Sequence, residues 1–231
     1  MFKELAKKIV YGQKYDSESY IKYLRKIGVR IGNDCTIYVP RKTTIDEQNP
    51  FLIDIGNHVR ITQGVTILTH GYDWSVLKGV YGDVLGSCGK VKIGNNVFIG
   101  MNSTILKGVT IGDNVIIGAG SLVTSNIENN CVAAGNPCKK IMTIDDYHKK
   151  RINAQVKEAK QLVEEYRKVY KCDPNSETLR EFFWLFANGD DIIPSSWNDV
   201  LKLCENYSFT TSIFNKNEKN YENLEDFLKS I

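Results

Sequence analysis

The most regular feature of the chain is an aliphatic residue at every sixth position. The unbroken series is Ile93, Ile99, Ile105, Ile111, Ile117 and Val123. The same spacing occurs earlier at Ile55, Ile61 and Ile67, and at Ile31 and Ile37. A period of six fits neither an α-helix nor a sandwich strand, but it is typical of a solenoid built from short strands and tight turns.

Three hexapeptides would form one triangular coil, which predicts three stacks of inward residues. The coils would begin at Ile31, Ile55, Ile93 and Ile111. The second face would stack Ile37, Ile61, Ile99 and Ile117, and the third Ile45, Ile67, Ile105 and Val123. Glycine, asparagine and aspartate recur after the stacked residues. We therefore expect turns with positive φ at those places, because these residue types accept them.

The closing repeats resemble a known family. The segment IGNNVFIGMNSTILKGVTIGDNVIIGAGSLVTSNI, followed by AAGNPCKKI, is similar to the hexapeptide-repeat acyltransferases, and within them to the galactoside, maltose and polysaccharide O-acetyltransferase group. The resemblance covers roughly residues 20–142. It implies a left-handed parallel β-helix, a homotrimer, and transfer of acetyl from acetyl-CoA to a hydroxyl.

Helical segments are predicted on both sides of the repeats. Residues 1–28 form an N-terminal helical cap, in which Asp16 or Ser17 caps a helix that ends at Gly28. Residues 29–142 form the β-helix, and residues 143–231 a C-terminal helical domain.

Four helices are predicted in the C-terminal domain. A capping box at Thr143 opens a long amphipathic helix, and SETLREFFWLFANG, WNDVLKLCENY and YENLEDFLKS predict three more. We interpret the aromatic cluster Phe182, Phe183, Trp184 and Phe186 as the core of this domain. A face that binds the acceptor or a partner is the alternative.

An insertion, residues 71–92, interrupts the period between Ile67 and Ile93. Function on a solenoid usually lies in such insertions. Aromatic rings suit the C–H face of a sugar and a carboxylate accepts hydroxyl hydrogen bonds, so Tyr72, Asp73 and Trp74 are predicted to bind the acceptor.

His70 stands at the root of this insertion and is the predicted general base. A sugar hydroxyl is a poor nucleophile at neutral pH, and an imidazole, with a reference pKa of about 6.5, can take its proton as it attacks a thioester. The resembled family has its general base at this location. His58, on a predicted turn, and His148, at a predicted helix start, are interpreted as surface residues.

A carboxylate is expected to orient His70. If Ile45 stacks under Ile67, Asp46 and Glu47 lie one coil below His70, about 4.8 Å away. Asp73 in the insertion is the other possibility. We predict Asp46 and keep Glu47 and Asp73 as alternatives.

The resemblance also implies a path for coenzyme A. The pantetheine arm passes Met101 and Ala119, Thr124 lies near the adenine, and Lys139 and the adjacent Lys140 lie near the phosphates.

Two positions depart from the family pattern. Ser125 stands where many relatives have a lysine. We therefore expect binding of the coenzyme A phosphates to depend more on Lys139, Lys140 and Lys107. Tyr38 stands where galactoside-type enzymes carry an acceptor-binding asparagine, so we expect Tyr38 at the acceptor site and an acceptor other than a simple galactoside.

Composition and charge limit the classes of partner that we expect for this protein. The chain has 231 residues and a net charge of +3, which is too small to indicate nucleic acid. No run approaches the ~18 apolar residues of a membrane span, and the first ten residues lack a signal-peptide core, so a cytoplasmic protein is expected. Six cysteines without CxxC spacing predict reduced thiols, with neither disulfides nor a zinc site.

Three function classes remain open. The first is an acetyl-CoA-dependent O-acetyltransferase of a saccharide, with N-acetylation of an amino sugar as a variant. The second is a metal hydratase on the same fold, which needs three histidine ligands that His58, His70 and His148 do not offer at compatible positions. The third is a catalytically silent scaffold or binding module. We favour the first and expect no metal.

Overall fold

A computed structural model describes residues 8–231. The first seven residues of the predicted N-terminal cap lie outside this range. The chain divides into two compact units, one ending at Tyr147 and the other running from His148 to Ile231. The first has an aliphatic core, and the second has a core rich in aromatic residues.

Short strands form the framework of the first unit. Within the described residues they are β1 Arg30–Ile31, β2 Thr36–Ile37, β3 Thr44–Ile45, β4 Ile53–Ile55, β5 Val59–Ile61, β6 Thr66–Ile67, β7 Val91–Ile93, β8 Val97–Ile99, β9 Thr104–Ile105, β10 Thr110–Ile111, β11 Val115–Ile117, β12 Leu122–Val123, β13 Cys131–Ala134 and β14 Lys139–Thr143. They form three sheets, in the orders β1-β4-β7-β10, β2-β5-β8-β11-β13-β14 and β3-β6-β9-β12. Successive strands up to β12 enter the three sheets in turn, so the chain winds through a three-sided coil.

The predicted stacking of aliphatic residues is confirmed on all three faces. The first face pairs Ile31, Ile55, Ile93 and Ile111 in order. The second pairs Ile37, Ile61, Ile99 and Ile117, and the third Ile45, Ile67, Ile105 and Val123. All pairs are parallel, and all these side chains except that of Ile31 are buried. Each buried aliphatic side chain contributes roughly 1.5–3 kcal/mol, so this register holds the coils together.

Turn residues stack at the corner that follows the first face. The residues with positive φ there are Asp34, His58, Asn96, Asn114 and Asn130. Side-chain oxygens of asparagine and aspartate join adjacent coils: Asn57 N donates to Asn95 Oδ1 at 2.9 Å, and Asn95 N donates to Asp113 Oδ1 at 2.6 Å. The expected use of asparagine and aspartate in left-handed turns is confirmed here.

The helix before the first coil, α1 Ser17–Ile27, begins and ends where the sequence predicts. Asp16 Oδ1 accepts a hydrogen bond from Ser19 N at 2.8 Å, and Gly28 ends the helix with φ 112°. Tyr20 and Leu24 are fully buried in the aliphatic core.

The insertion contains a helix, α2 Trp74–Tyr81, which the sequence analysis did not predict. The insertion is also shorter than expected, because Val91 and Lys92 already belong to β7 and pair with β4. The segment outside the coil therefore ends at Lys90.

The helices that follow the repeats are α3 Ile144–Tyr170, α4 Ser195–Leu201, α5 Tyr207–Phe214 and α6 Leu224–Lys229. Thr143 caps α3 as predicted, since Asp146 N donates to Thr143 Oγ1 at 3.1 Å, but the Asp146 carboxylate accepts from the Thr143 hydroxyl, whereas in a full capping box it would accept from the backbone N–H. Among the helices of residues 8–231, none combines the length and hydropathy that a membrane crossing requires.

The prediction of a helix for SETLREFFWLFANG is wrong. This segment forms turns and one short 3-10 helix, Phe183–Leu185. Its apolar side chains nevertheless form the core of the second unit, as expected: the ring centroid of Phe183 lies 5.5 Å from that of Trp197 and 5.3 Å from that of Phe214. The side chains of this segment pack in several directions, and the segment does not form a regular helix.

Candidate active site

The stacking of β6 on β3 brings His70 and Asp46 together. Asp46 directly follows β3 and His70 lies three residues after the end of β6, and His70 Nδ1 is 2.6 Å from Asp46 Oδ2. Asp46 is only 6% exposed, whereas the imidazole is partly open to solvent. The backbone N–H of Gln48 donates to the other carboxylate oxygen, Oδ1, at 2.9 Å. The coil thus presents a histidine backed by a buried carboxylate.

Hydrogen bonds keep this carboxylate ionised. Burial by itself raises the pKa of Asp46, but the hydrogen bonds from Thr69, Gln48 and His70 outweigh it, so the pKa lies below its ordinary value. An ionised Asp46 can only accept, so His70 Nδ1 carries the proton of their shared bond. In the neutral tautomer that this bond favours, Nε2 is the nitrogen without a proton, which is the form that a general base needs.

The stem of the insertion fixes the backbone of His70. Gly71 N donates to Ser87 O at 2.9 Å, and Gly89 N donates to Thr69 O at 2.8 Å, which sets His70 opposite Cys88 in an antiparallel bridge. A Cβ on Gly89 would lie 2.7 Å from the backbone nitrogen of Gly108, so the stem packs against the next coil where only glycine fits.

The structure separates the three carboxylates considered for His70. Asp46 contacts the imidazole, while Glu47 accepts a hydrogen bond from the Tyr23 hydroxyl at 2.8 Å. That bond raises the pKa of Tyr23. Asp73 lies beside Gly71, close to Lys107. Lys107 is therefore placed at the root of the insertion.

The three predicted acceptor residues of the insertion follow His70 closely. The rings of Tyr72 and Trp74 are 4.7 Å apart, centroid to centroid, at an angle of 55°. Tyr72 is 70% exposed, and Trp74 is half-buried. Together with Asp73 they form an aromatic and acidic segment that begins two residues after His70.

The predicted coenzyme A residues fall into two groups. Ser125, Lys139 and Lys140 line one cavity of about 250 Å³ at the end of the coils, and the exposed Thr124 directly precedes Ser125. Met101 and Ala119 lie on neighbouring coils at a different corner, where Gly120 N donates to Met101 O at 2.7 Å.

Tyr38 belongs to the corner of Met101 and Ala119 and not to the corner of His70. Its N–H donates to Ile61 O at 2.8 Å, and its side chain is 48% exposed. The next residue, Val39, has φ 50°, whereas glycine or asparagine takes the positive φ at this corner in the following coils. A β-branched residue in this region is strained.

A second histidine and aspartate pair occurs outside this site. His58 Nδ1 lies 2.6 Å from Asp34 Oδ2, and Arg60 Nη2 also contacts that oxygen at 2.8 Å. His58 lies on a turn, as predicted, and His148 is exposed in α3. Within residues 8–231, no three or more His, Cys, Asp or Glu side chains are grouped to hold a metal ion.

Comparison with known proteins gives the family. Residues 90–125 match the family model described as bacterial transferase hexapeptide (six repeats). Protein CapG of Staphylococcus aureus is 46% identical over 127 residues, which cover 55% of this chain and 73% of that protein. The galactoside O-acetyltransferase of Lactococcus lactis subsp. lactis (strain IL1403) is 31% identical over 172 residues, 63% of this chain and 81% of that enzyme. The chain belongs to the hexapeptide-repeat acyltransferases.

This acyltransferase is also similar to a solved galactoside acetyltransferase in complex with coenzyme A. Their identity is 30%, the match covers 57% of this chain and 73% of the other, and the TM-score is 0.44. Some other curated relatives are matched over about half of their own length.

Proposed function

We propose that this acyltransferase moves an acetyl group from acetyl-CoA to a saccharide hydroxyl, with His70 as general base. The contact that carries the proposal is the 2.6 Å hydrogen bond between His70 Nδ1 and the buried Asp46, which leaves Nε2 to accept a proton. A galactoside O-acetyltransferase among the relatives supports a sugar acceptor.

His70 Nε2 would take the hydroxyl proton as the oxygen forms its bond to the acetyl carbonyl carbon. Acetyl-CoA supplies that carbonyl as an activated thioester. Asp46 stabilises the imidazolium, which returns the proton to the departing thiolate sulfur as the carbon–sulfur bond breaks. A positioned base of this kind contributes on the order of 10² to 10⁴ in rate.

The residues at the coil edges fit the donor. Lys139 and Lys140 line the cavity with Ser125 and offer donors for phosphates, Lys140 being also 3.2 Å from Glu128 Oε2, and the neighbouring Thr124 suits the adenine end. Met101 offers an exposed apolar side chain for the pantetheine arm, with Ala119 on the next coil.

These two groups lie at different corners of one chain, which supports a site completed between subunits of a homotrimer. We also propose that the coils wind in the left-handed sense, because that handedness is implied by the family.

Tyr72, Asp73 and Trp74 would bind the acceptor, because they follow His70 within four residues, and Tyr72 and Asp73 are exposed to solvent while the Trp74 ring packs against Tyr72. Tyr38 would contribute from the other corner of a neighbouring subunit. Its phenol ring and the strained turn at Val39 differ from an asparagine at that place, which favours an acceptor other than a simple galactoside.

The test is an acetyl-transfer assay. The purified protein is incubated with acetyl-CoA and a panel of neutral sugars, amino sugars and nucleotide sugars, and free thiol release and acceptor mass are measured. We expect an acceptor that gains one acetyl group as a base-labile ester. An amide product would indicate N-acetylation. No transfer, together with no thermal stabilisation by coenzyme A, would indicate a silent scaffold.

A further inference from the structure

Thr69 makes two hydrogen bonds to the carboxylate oxygen that holds His70. Its N–H donates to Asp46 Oδ2 at 2.8 Å, and its hydroxyl donates to the same oxygen at 2.6 Å. The side chain is fully buried. Asp46 Oδ2 therefore has three donors, two from Thr69 and one from His70.

The repeat itself does not require a hydroxyl at this place. Leu68 N donates to Ile105 O and Leu106 N donates to Val123 O, so the positions above Thr69 on the next two coils are Lys107 and Ser125. Those side chains are half-buried and exposed, respectively. A buried hydroxyl occurs in this stack only in the coil whose neighbour carries Asp46, which links it to the carboxylate.

The hydroxyl has a geometric consequence for His70. A carboxylate that accepts hydrogen bonds at both of its oxygens is restricted in its rotation, so its donors define where it can meet a further partner. The Thr69 donors on Oδ2 and Gln48 N on Oδ1 hold the Asp46 carboxylate at both of its oxygens, and in this position Oδ2 lies 2.6 Å from His70 Nδ1.

We propose that Thr69 is a positioning residue that acts through Asp46 to hold His70 in the orientation and tautomer of a general base. The proposal rests on the function proposed above. It adds a role for a side chain that touches neither acceptor nor donor.

The test compares three variants with the wild-type enzyme. Thr69→Val removes the hydroxyl at nearly constant volume, and Thr69→Ser keeps it. Thr62→Val is the matched control, because Thr62 Oγ1 also donates a hydrogen bond in the coil, to Ile99 O at 2.7 Å, but away from Asp46.

We expect Thr69→Val to lower kcat about tenfold, the effect of one lost bond to a charged group, and to leave the KM for acetyl-CoA within about twofold. The acidic limb of its kcat/KM profile should move to higher pH, because the carboxylate keeps more charge to stabilise a protonated imidazole. Thr69→Ser and Thr62→Val should match the wild type in both respects.

The pH readout separates positioning from simple packing. Ionisable groups near His70 include Cys88 across the bridge, Asp73 and Lys107 beside Gly71, Tyr72 two residues on, and Glu47 next to Asp46. None of them changes between the variants. A shift of the acidic limb in Thr69→Val alone therefore reports on Asp46 and His70.

The proposal is overturned if Thr69→Val keeps the kcat and acidic limb of Thr62→Val, or if Thr69→Ser loses as much activity as Thr69→Val. Should the valine variant not fold, Thr69→Ala carries the same prediction with a smaller side chain. A wild-type enzyme without acetyl transfer would instead contradict the proposed function, and that result is distinct from either of these.

Discussion

The buried carboxylate of Asp46 contributes both to the stability of the fold and to the candidate active site. Its hydrogen bonds from Thr69 tie two adjacent coils together, Gln48 N in its own coil holds the other oxygen, and its bond to His70 orients the imidazole. Because these bonds favour the charged form, the pKa of Asp46 is lower in the folded protein than in the unfolded chain. Its contribution to stability must therefore depend on pH.

Asp46→Asn should lower the free energy of unfolding at pH 7 by about 1–3 kcal/mol, the cost of disturbing buried hydrogen bonds to a charged group. A lowered pKa means that the contribution is fully present above the unfolded value of about 3.9 and is lost as the pH falls through the folded value. Urea unfolding of both proteins at pH 7 and near pH 3 checks this. An equal difference at both pH values would contradict it.

Trp74 offers a second prediction at the level of a single residue. Trp74→Ala removes one aromatic face beside His70, so the acceptor kcat/KM should fall about tenfold, while acetyl-CoA affinity measured by calorimetry stays within about twofold. If acetyl-CoA affinity falls in parallel, the insertion belongs to the donor site.

At the scale of the elements, the stem of the insertion, residues 71 and 87–89, connects the coil to the backbone of His70. Gly89 approaches the Gly108 backbone so closely that a side chain cannot fit, whereas Gly86 in the same segment has open space around it. Gly89→Ala should therefore displace the stem and lower kcat at least about tenfold, since orientation at the reacting centre is sensitive to small shifts. Gly86→Ala is the control and should retain wild-type kcat. Equal activity of the two variants in the transfer assay would show that the stem does not position His70.

Sequence periodicity predicted the elements whose packing is itself periodic. A one-residue slip would have moved every stacked isoleucine out of the core, so the register of all three faces, and with it the meeting of Asp46 and His70, followed from the spacing. The elements outside the coil lack this constraint. The helix α2 has no buried residue, α5 is rich in β-branched and aromatic residues, and the segment around Phe183 buries side chains in several directions. Thr69 was missed because its role depends on a tertiary hydrogen bond.

For the whole molecule, the separation of the two candidate coenzyme A groups at different corners of one coil predicts an assembly. A homotrimer brings corners of neighbouring subunits together and can complete a site that one chain leaves divided. Sedimentation velocity at micromolar concentration should show a single trimeric species. A stable monomer with full transferase activity would contradict a site shared between subunits.

The measurement that bears most directly on the central claim compares two histidines in the same enzyme. His70 and His58 each contact an aspartate at 2.6 Å, but only His70 stands at the root of the insertion. His70→Ala should lower kcat for acetyl transfer at least about 10²-fold with coenzyme A binding unchanged, because only proton transfer is lost, while His58→Ala keeps wild-type kcat. Near-wild-type turnover of His70→Ala, or an equal loss in both variants, would contradict His70 as the general base.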